Sequence, residues 1–181
     1  IKHAVIADPA LRELISGFAF CRGADPAEPA MNLASAAWLP MFVSRALAVK
    51  ANVICQDPFE KGARAALNLG HTVGHGLEKA SRFAIRHGEA VAIGTVAAAR
   101  LSEWMGLAED GLAEEVAGAF ASVGLPTEIP RNIDWAAAKA AIRLDKKRKN
   151  GEVRFVLPVA WGKVTFETVP DALLDRLEDT K

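Results

Sequence analysis

The sequence predicts a mainly α-helical fold carrying one small β-hairpin. Three observations predict it. Apolar residues recur at helical spacing through most of the chain, as in 112–123. Capping and stopping residues bracket those stretches: Asp134 stands before one, and Gly106, Gly124 and Pro126 follow others. Strand-like residues are confined to 153–157 and 163–167, joined by Ala160-Trp161-Gly162. At 181 residues the chain fits one domain with a real core, or two small ones.

In chain order, residues 1–6 read as the inside of an element already under way, and residues upstream of Ile1 are expected. Asp8 and Pro9 look like the N-cap and first position of a helix reaching about Cys21. A Gly- and Pro-rich loop follows at 23–30. Asn32 starts the next helix, which carries Met41, Val43, Leu47 and Val53, and which Pro40 should kink or split. Asp57 and Glu60 have capping-box spacing. A histidine-bearing helix runs from after Gly62 to about Ser81. After a short connection at 83–86, a helix apolar nearly all round spans 88–105, which marks it as a core element. Helices at 112–123 and 135–144, a basic turn, the hairpin and a final helix at 170–177 complete the chain.

Composition bounds the function. Hydrophobic residues make up 51% of the chain, the net charge is zero and the pI is near 7.1. That balance gives no electrostatic case for nucleic acid or an anionic membrane. Arg45, Lys50 and Arg100 interrupt the longest apolar runs, so no membrane span is expected. The two cysteines, Cys21 and Cys55, suggest no disulfide framework, and a reducing cytoplasm is the expected compartment.

The chemistry concentrates in 64–101. His71 and His75 are one helical turn apart, and Arg64, Asn68 and Glu78 extend the same face if one helix carries them all. His87 opens the buried helix. Two imidazoles at this spacing suit a divalent metal. A lone histidine is more often structural, but three within 17 residues beside Arg64, Asn68 and Glu78 suggest a site. The segment is not the HExxH of metalloproteases, because Thr72 stands where Glu is needed. His71, His75, Glu78, His87 and Glu89 are the local ligand candidates, and spacing does not choose among them. A basic set, Lys50, Arg64 and the run 146–149, could hold a multiply charged anion. Its plainer reading is a solvated loop and a lysine reaching the surface.

Arg64-Ala-Ala-Leu-Asn68-Leu-Gly-His71-Thr-Val-Gly-His75-Gly-Leu-Glu78, followed by His87-Gly-Glu-Ala, resembles the signature of the 3-dehydroquinate synthases. IKHAVI with Lys2, VKANVICQDPFEKGAR with Lys50, Asp145-Lys146-Lys147 and GEVRFVLPVAWGKV resemble further blocks of that family, in family order. The resemblance implies a two-domain enzyme with an NAD-binding α/β half and a helical half that contacts metal and substrate. Residues 1–181 correspond to the helical C-terminal half, and the N-terminal NAD-binding domain is absent from this sequence. The implied reaction converts 3-deoxy-D-arabino-heptulosonate 7-phosphate, a phosphorylated sugar acid, to 3-dehydroquinate and phosphate in the shikimate pathway.

The resemblance places His71 and His87 on metal ligands, for zinc or cobalt, and His75 on a substrate contact near the departing phosphate. Lys2 falls on the lysine of a Glu-x-x-Lys segment. Lys50, Glu60, Arg64, Asn68 and one of Lys146 and Lys147 fall on substrate-binding positions. The third metal ligand, the Glu three places before Lys2, would precede Ile1. The chain alone is therefore expected to be a fragment without catalysis and with weak metal binding, and the full-length protein a homodimer. The rival expectations are another NAD- and metal-dependent sugar-phosphate cyclase, which the Lys50, Arg64 and Asn68 set argues against, and a non-catalytic helical binding or assembly module.

Overall fold

Residues 1–15, 39–59, 62–146 and 153–180 are described by a computed structural model. The chain starts with α1, Lys2–Ile6, and a second helical stretch begins at 11–15. The elements α2 (Leu39–Gln56), a 3-10 helix at Ala63–Asn68, α3 (His71–Ala80) and α4 (His87–Trp104) follow. Next come α5 (Leu112–Ser122), α6 (Trp135–Lys146), β1 (Arg154–Ala160), β2 (Lys163–Thr168), α7 (Asp171–Arg176) and a closing 3-10 turn at Leu177–Thr180. This is the helical fold with one hairpin that the sequence predicts. Among the described residues no helix is long and apolar enough to cross a membrane.

The centre of the core is α4. Its apolar side chains point in every direction, and Ala90 to Ala99 and Leu101 are all buried. α3, α5 and β1 pack around it, and α6 packs on the other side of α3. A helix without a polar face has no orientation that leaves it at the surface, so its sequence fixes its depth. The helix stops at Met105, and Gly106 follows in the left-handed region (φ 67°), as the sequence predicts.

Local signals set most other ends. Asp134 Oδ1 accepts the Ala137 N–H at 3.0 Å, the N-cap expected of it. The strands pair antiparallel, with Val156 opposite Phe166 and Leu157 opposite Thr165. The register breaks between Pro158 and Ala160, where proline cannot donate to the ladder. Trp161 and Gly162 make the turn, and the Gly162 N–H donates to Val5 O at 3.0 Å, tying the hairpin to α1. Trp135 Nε1–H reaches the Leu174 carbonyl (3.1 Å) and so locks α6 to α7.

Two expectations need correction, on Asp8 and on the start of the histidine helix. The Asp8 carboxylate is not a helix cap: it accepts from Nε and Nη2 of Arg45 at 3.0 and 2.8 Å, a two-pronged pair joining the start of the chain to α2. Pro40 is the second described residue of α2, and the residues before Leu39, where a kink or split would show, lie outside the described residues. On α2, Met41, Val43 and Leu47 are exposed while Val49 is buried. Finally, the histidine helix does not begin after Gly62. Ala63–Asn68 is a separate 3-10 helix, and α3 starts at His71 after a break at Leu69 and Gly70. The loop at 23–30, the Asn32 cap and most of the basic run lie outside the described residues.

Candidate functional site

The N-terminus of α3, the N-terminus of α4 and the preceding 3-10 helix meet at one place. Gly70 makes this possible. It is the N-cap of α3 with φ 78°, and a Cβ there would stand 2.4 Å from Thr95 Oγ1 and 2.6 Å from the Val91 carbonyl oxygen. No other residue fits that turn against α4. The chain turns sharply, and His71 becomes the first residue of α3.

His71, His75 and His87 converge, as expected for helices meeting near their crossing. Ring centroids are 5.4 Å apart for His71 and His75, 5.3 Å for His71 and His87, and 6.2 Å for His75 and His87. His71 Nδ1 lies 3.1 Å from the Leu69 carbonyl oxygen. A carbonyl only accepts, so this bond puts the proton on Nδ1 and leaves Nε2 with its lone pair. His87 Nδ1 lies 3.0 Å from Glu78 Oε1. A carboxylate on that nitrogen fixes the same tautomer. Two imidazoles thus carry an oxygen acceptor on Nδ1 and turn Nε2 outward, the usual preparation of a metal-binding histidine.

Burial first, opposed by the Leu69 hydrogen bond and aided by Lys2, His75 and His87, lowers the His71 pKa to about 4. The ring is neutral at physiological pH, as a ligand must be. His75, Glu78 and His87 offer ligand atoms that all lie within 4.8 Å of one another. This donor set, imidazole nitrogens with a carboxylate at hand, fits a zinc- or cobalt-type ion. Glu89, a ligand candidate by spacing, is otherwise engaged: its Oε2 accepts the Arg86 N–H at 3.1 Å and caps α4.

The cationic side of the site comes from α1 and α2. Lys2 Nζ donates to the Leu67 carbonyl at 2.8 Å, holding the 3-10 helix against α1. Burial, then repulsion from Lys50, lowers its pKa to about 8, so it remains mostly protonated at neutral pH. Lys50 is exposed on α2 and close enough to act on Lys2 and His3. Arg64 is half-buried and donates from Nη1 to the Pro58 carbonyl at 2.9 Å. Asp57 Oδ2 accepts the N–H of Gly62 (2.7 Å) and of Arg64 (3.1 Å), which pins this segment. Asp57 therefore caps this turn, and Glu60, the other half of the expected box, lies outside the described residues.

Arg64 and Asn68 sit on the 3-10 helix, so the continuous polar stripe through Arg64, Asn68, His71, His75 and Glu78 is broken at Gly70. Glu60, Lys147 and the side chain of Lys146 lie outside the described residues. Sequence reasoning missed two features. It did not anticipate His3, whose pKa burial and then Lys2 lower to about 4. It took Glu78 only as a ligand candidate, and the bond to His87 spans a turn whose shape local propensity does not announce.

Comparison with known proteins follows this geometry. Residues 1–148 match the 3-dehydroquinate synthase C-terminal family. The chain is 40% identical over 179 residues to a 3-dehydroquinate synthase of Synechococcus sp., an alignment covering 98% of this chain and 47% of that protein. It is 42% identical over 143 residues to one of Symbiobacterium thermophilum, covering 77% and 40%. The chain thus spans about half the length, or less, of these relatives. Its fold is similar to that of a 2-epi-5-epi-valiolone synthase from Streptomyces hygroscopicus subsp. jinggangensis, solved with NAD+ and Zn2+ (TM-score 0.79, 21% identity, 98% of this chain and 47% of that one). It is similar also to a 2-deoxy-scyllo-inosose synthase solved with carbaglucose-6-phosphate, NAD+ and Co2+ (TM-score 0.74, 21% identity, 99% and 49%).

Proposed function

Because this chain belongs to the 3-dehydroquinate synthase family, we propose that it is the metal- and substrate-binding half of an enzyme making 3-dehydroquinate and phosphate from 3-deoxy-D-arabino-heptulosonate 7-phosphate. The observation that carries the reading is the convergence of His71, His75 and His87, with the Nδ1 atoms of His71 and His87 already held by oxygen acceptors. His71 and His87 would hold zinc or cobalt through Nε2. The ion, when bound, supplies a Lewis acid that polarises a substrate oxygen. NAD would be bound mainly by residues outside this sequence.

The chain's own groups divide the remaining work. His75 lies a helical turn beyond His71 and faces the departing phosphate, to which an imidazole can give a hydrogen bond or a proton. Lys2, protonated but with a lowered pKa, attracts the anionic substrate and stands ready as a proton donor. Lys50 adds a point charge. Arg64 offers a planar fork to the carboxylate, and Asn68 hydrogen bonds to hydroxyls. Glu60 and one of Lys146 and Lys147 complete the substrate contacts.

The test is metal content and turnover of the intact protein in three variants. His71→Ala and His87→Ala should weaken zinc binding by more than about 100-fold, beyond what loss of a supporting partner gives. His75→Ala should keep the metal and lose turnover of the heptulosonate phosphate. Loss of metal in His75→Ala with retention in His71→Ala would overturn the assignment in favour of a His75, Glu78 and His87 centre.

A further inference from the structure

We propose that Glu78 is a positioning residue for the metal: its carboxylate holds His87 by Nδ1–H and so presents Nε2 to the ion. The inference rests on the reading of His87 as a ligand and extends it to a residue with no assigned role.

His87 needs such a partner. It is the first residue of α4, and its side chain is 59% exposed, so little packing restrains the ring. The Glu78 side chain is 12% exposed and belongs to α3, a helix buried on most of its face. The 3.0 Å bond from Nδ1 to Oε1 therefore fastens a loose imidazole to a fixed carboxylate.

The turn between them is built to bring them together. Arg82 and Phe83 both adopt left-handed backbone, with φ 53° and 62°, and reverse the chain within six residues of His87. Ser81 Oγ–H donates to the Glu78 carbonyl (3.0 Å) and accepts the Ile85 N–H (3.3 Å), bracing the reversal from inside. Non-glycine residues enter this region at a cost, and the surrounding structure must hold them there.

Tautomer selection is the chemical consequence. An imidazole with its proton on Nε2 has no lone pair there for a metal. A carboxylate accepting from Nδ1 removes that alternative and raises the basicity of Nε2. His71 gets the same service from the Leu69 carbonyl, so both ligands are set to one tautomer by different acceptors. Two atoms 3.0 Å apart could also share one ion, which would make Glu78 itself a ligand. The two roles differ in what glutamine can replace: an amide oxygen accepts an N–H as a carboxylate does but is a poor metal ligand.

The experiment compares Glu78→Ala and Glu78→Gln in the intact protein by chelator competition for Co2+ and Zn2+, with nitrogen NMR of the histidines in the metal-free state. Glu78→Ala should weaken metal binding about 10- to 100-fold. Glu78→Gln should recover most of that loss. Metal-free His87 should carry its proton on Nδ1 in the native protein and in Glu78→Gln, and lose that preference in Glu78→Ala. Equal loss in both variants would make Glu78 a ligand and overturn the proposal, as would native affinity in Glu78→Ala. If Glu78→Ala does not fold, the native tautomer decides: a proton on Nε2 overturns the proposal. Native metal affinity in His87→Ala would overturn the underlying ligand assignment, which is a separate outcome.

Discussion

A Cβ atom on Gly94 would lie 2.0 Å from the carbonyl oxygen of Gly70. The two backbones touch where α3 begins, and this contact sets how close His71 comes to His87 on the neighbouring helix. Gly94→Ala should therefore force the helices apart. The expected loss is about 3 kcal/mol of stability, the upper range for overpacking, because backbone rather than a flexible side chain must move. Gly118→Ala on α5 is the control: nothing lies within 4 Å of its Cβ. That change should stabilise by roughly 0.5–1 kcal/mol through helix propensity. Urea midpoints of the two variants check both signs, and a Gly94→Ala midpoint near native would mean the helices separate freely.

Ser102 is fully buried in α4, and among the described residues its Oγ is the buried side-chain polar atom without a hydrogen-bond partner. Desolvating a hydroxyl with no compensating bond is unfavourable. Ser102→Ala removes that atom and improves helix propensity. The variant should gain about 1 kcal/mol, or about 2–4 °C in Tm for a chain of this size. A lower Tm would show that the hydroxyl has a partner in solution, such as a buried water.

The features legible in the sequence are those with local causes. The all-round apolar run at 88–105 had to be buried, and the Asp134 cap and the Trp161–Gly162 turn fall where their residues put them. The meeting of three histidines was legible too, since two share a helical face and the third follows a short connection. The illegible parts have distant causes. The break at Gly70 answers to Thr95 and Val91 on another helix, while the polar spacing through Arg64, Asn68 and His71 runs on as though one helix continued. Asp8 had the sequence signature of a cap, but Arg45, 37 residues away, outcompetes backbone N–H groups for its carboxylate. Arg82 and Phe83 carry no residue-type signal for left-handed backbone, so the pairing of Glu78 with His87 stayed hidden.

Stability should fall in mild acid, in part through His3. Its pKa is lowered from 6.5 to about 4, by burial first and then by Lys2 and Lys50. The unfolded chain takes up that proton near 6.5. Between that pH and the folded value the unfolded state binds more protons, so stability drops as pH falls through the window and is insensitive to this group above it. His3→Gln removes the contribution, while His71, which is lowered similarly, still titrates in the same range. Urea midpoints taken from about pH 7.5 to about pH 4.5 should decline less steeply in the variant. Parallel curves would mean that His3 protonates in the folded protein as readily as in water.

Asp57 governs the placement of Arg64. One carboxylate oxygen takes two turn donors, the Gly62 and Arg64 N–H groups, at 2.7 and 3.1 Å. Alanine there frees the 3-10 helix that carries Arg64 and Asn68, whereas asparagine keeps one carbonyl oxygen as acceptor. A lost cap of this kind is worth about 1 kcal/mol, roughly a fivefold change in an equilibrium constant. If Arg64 grips the substrate carboxylate, Asp57→Ala in the intact protein should raise KM for the heptulosonate phosphate about fivefold while leaving kcat within about twofold, the pattern of lost uniform binding. Asp57→Asn should restore most of the KM. The effect should vanish in an Arg64→Ala background, because the group being positioned is gone; an undiminished effect there would place the role of Asp57 elsewhere in the turn, with Asn68 as the next residue to substitute.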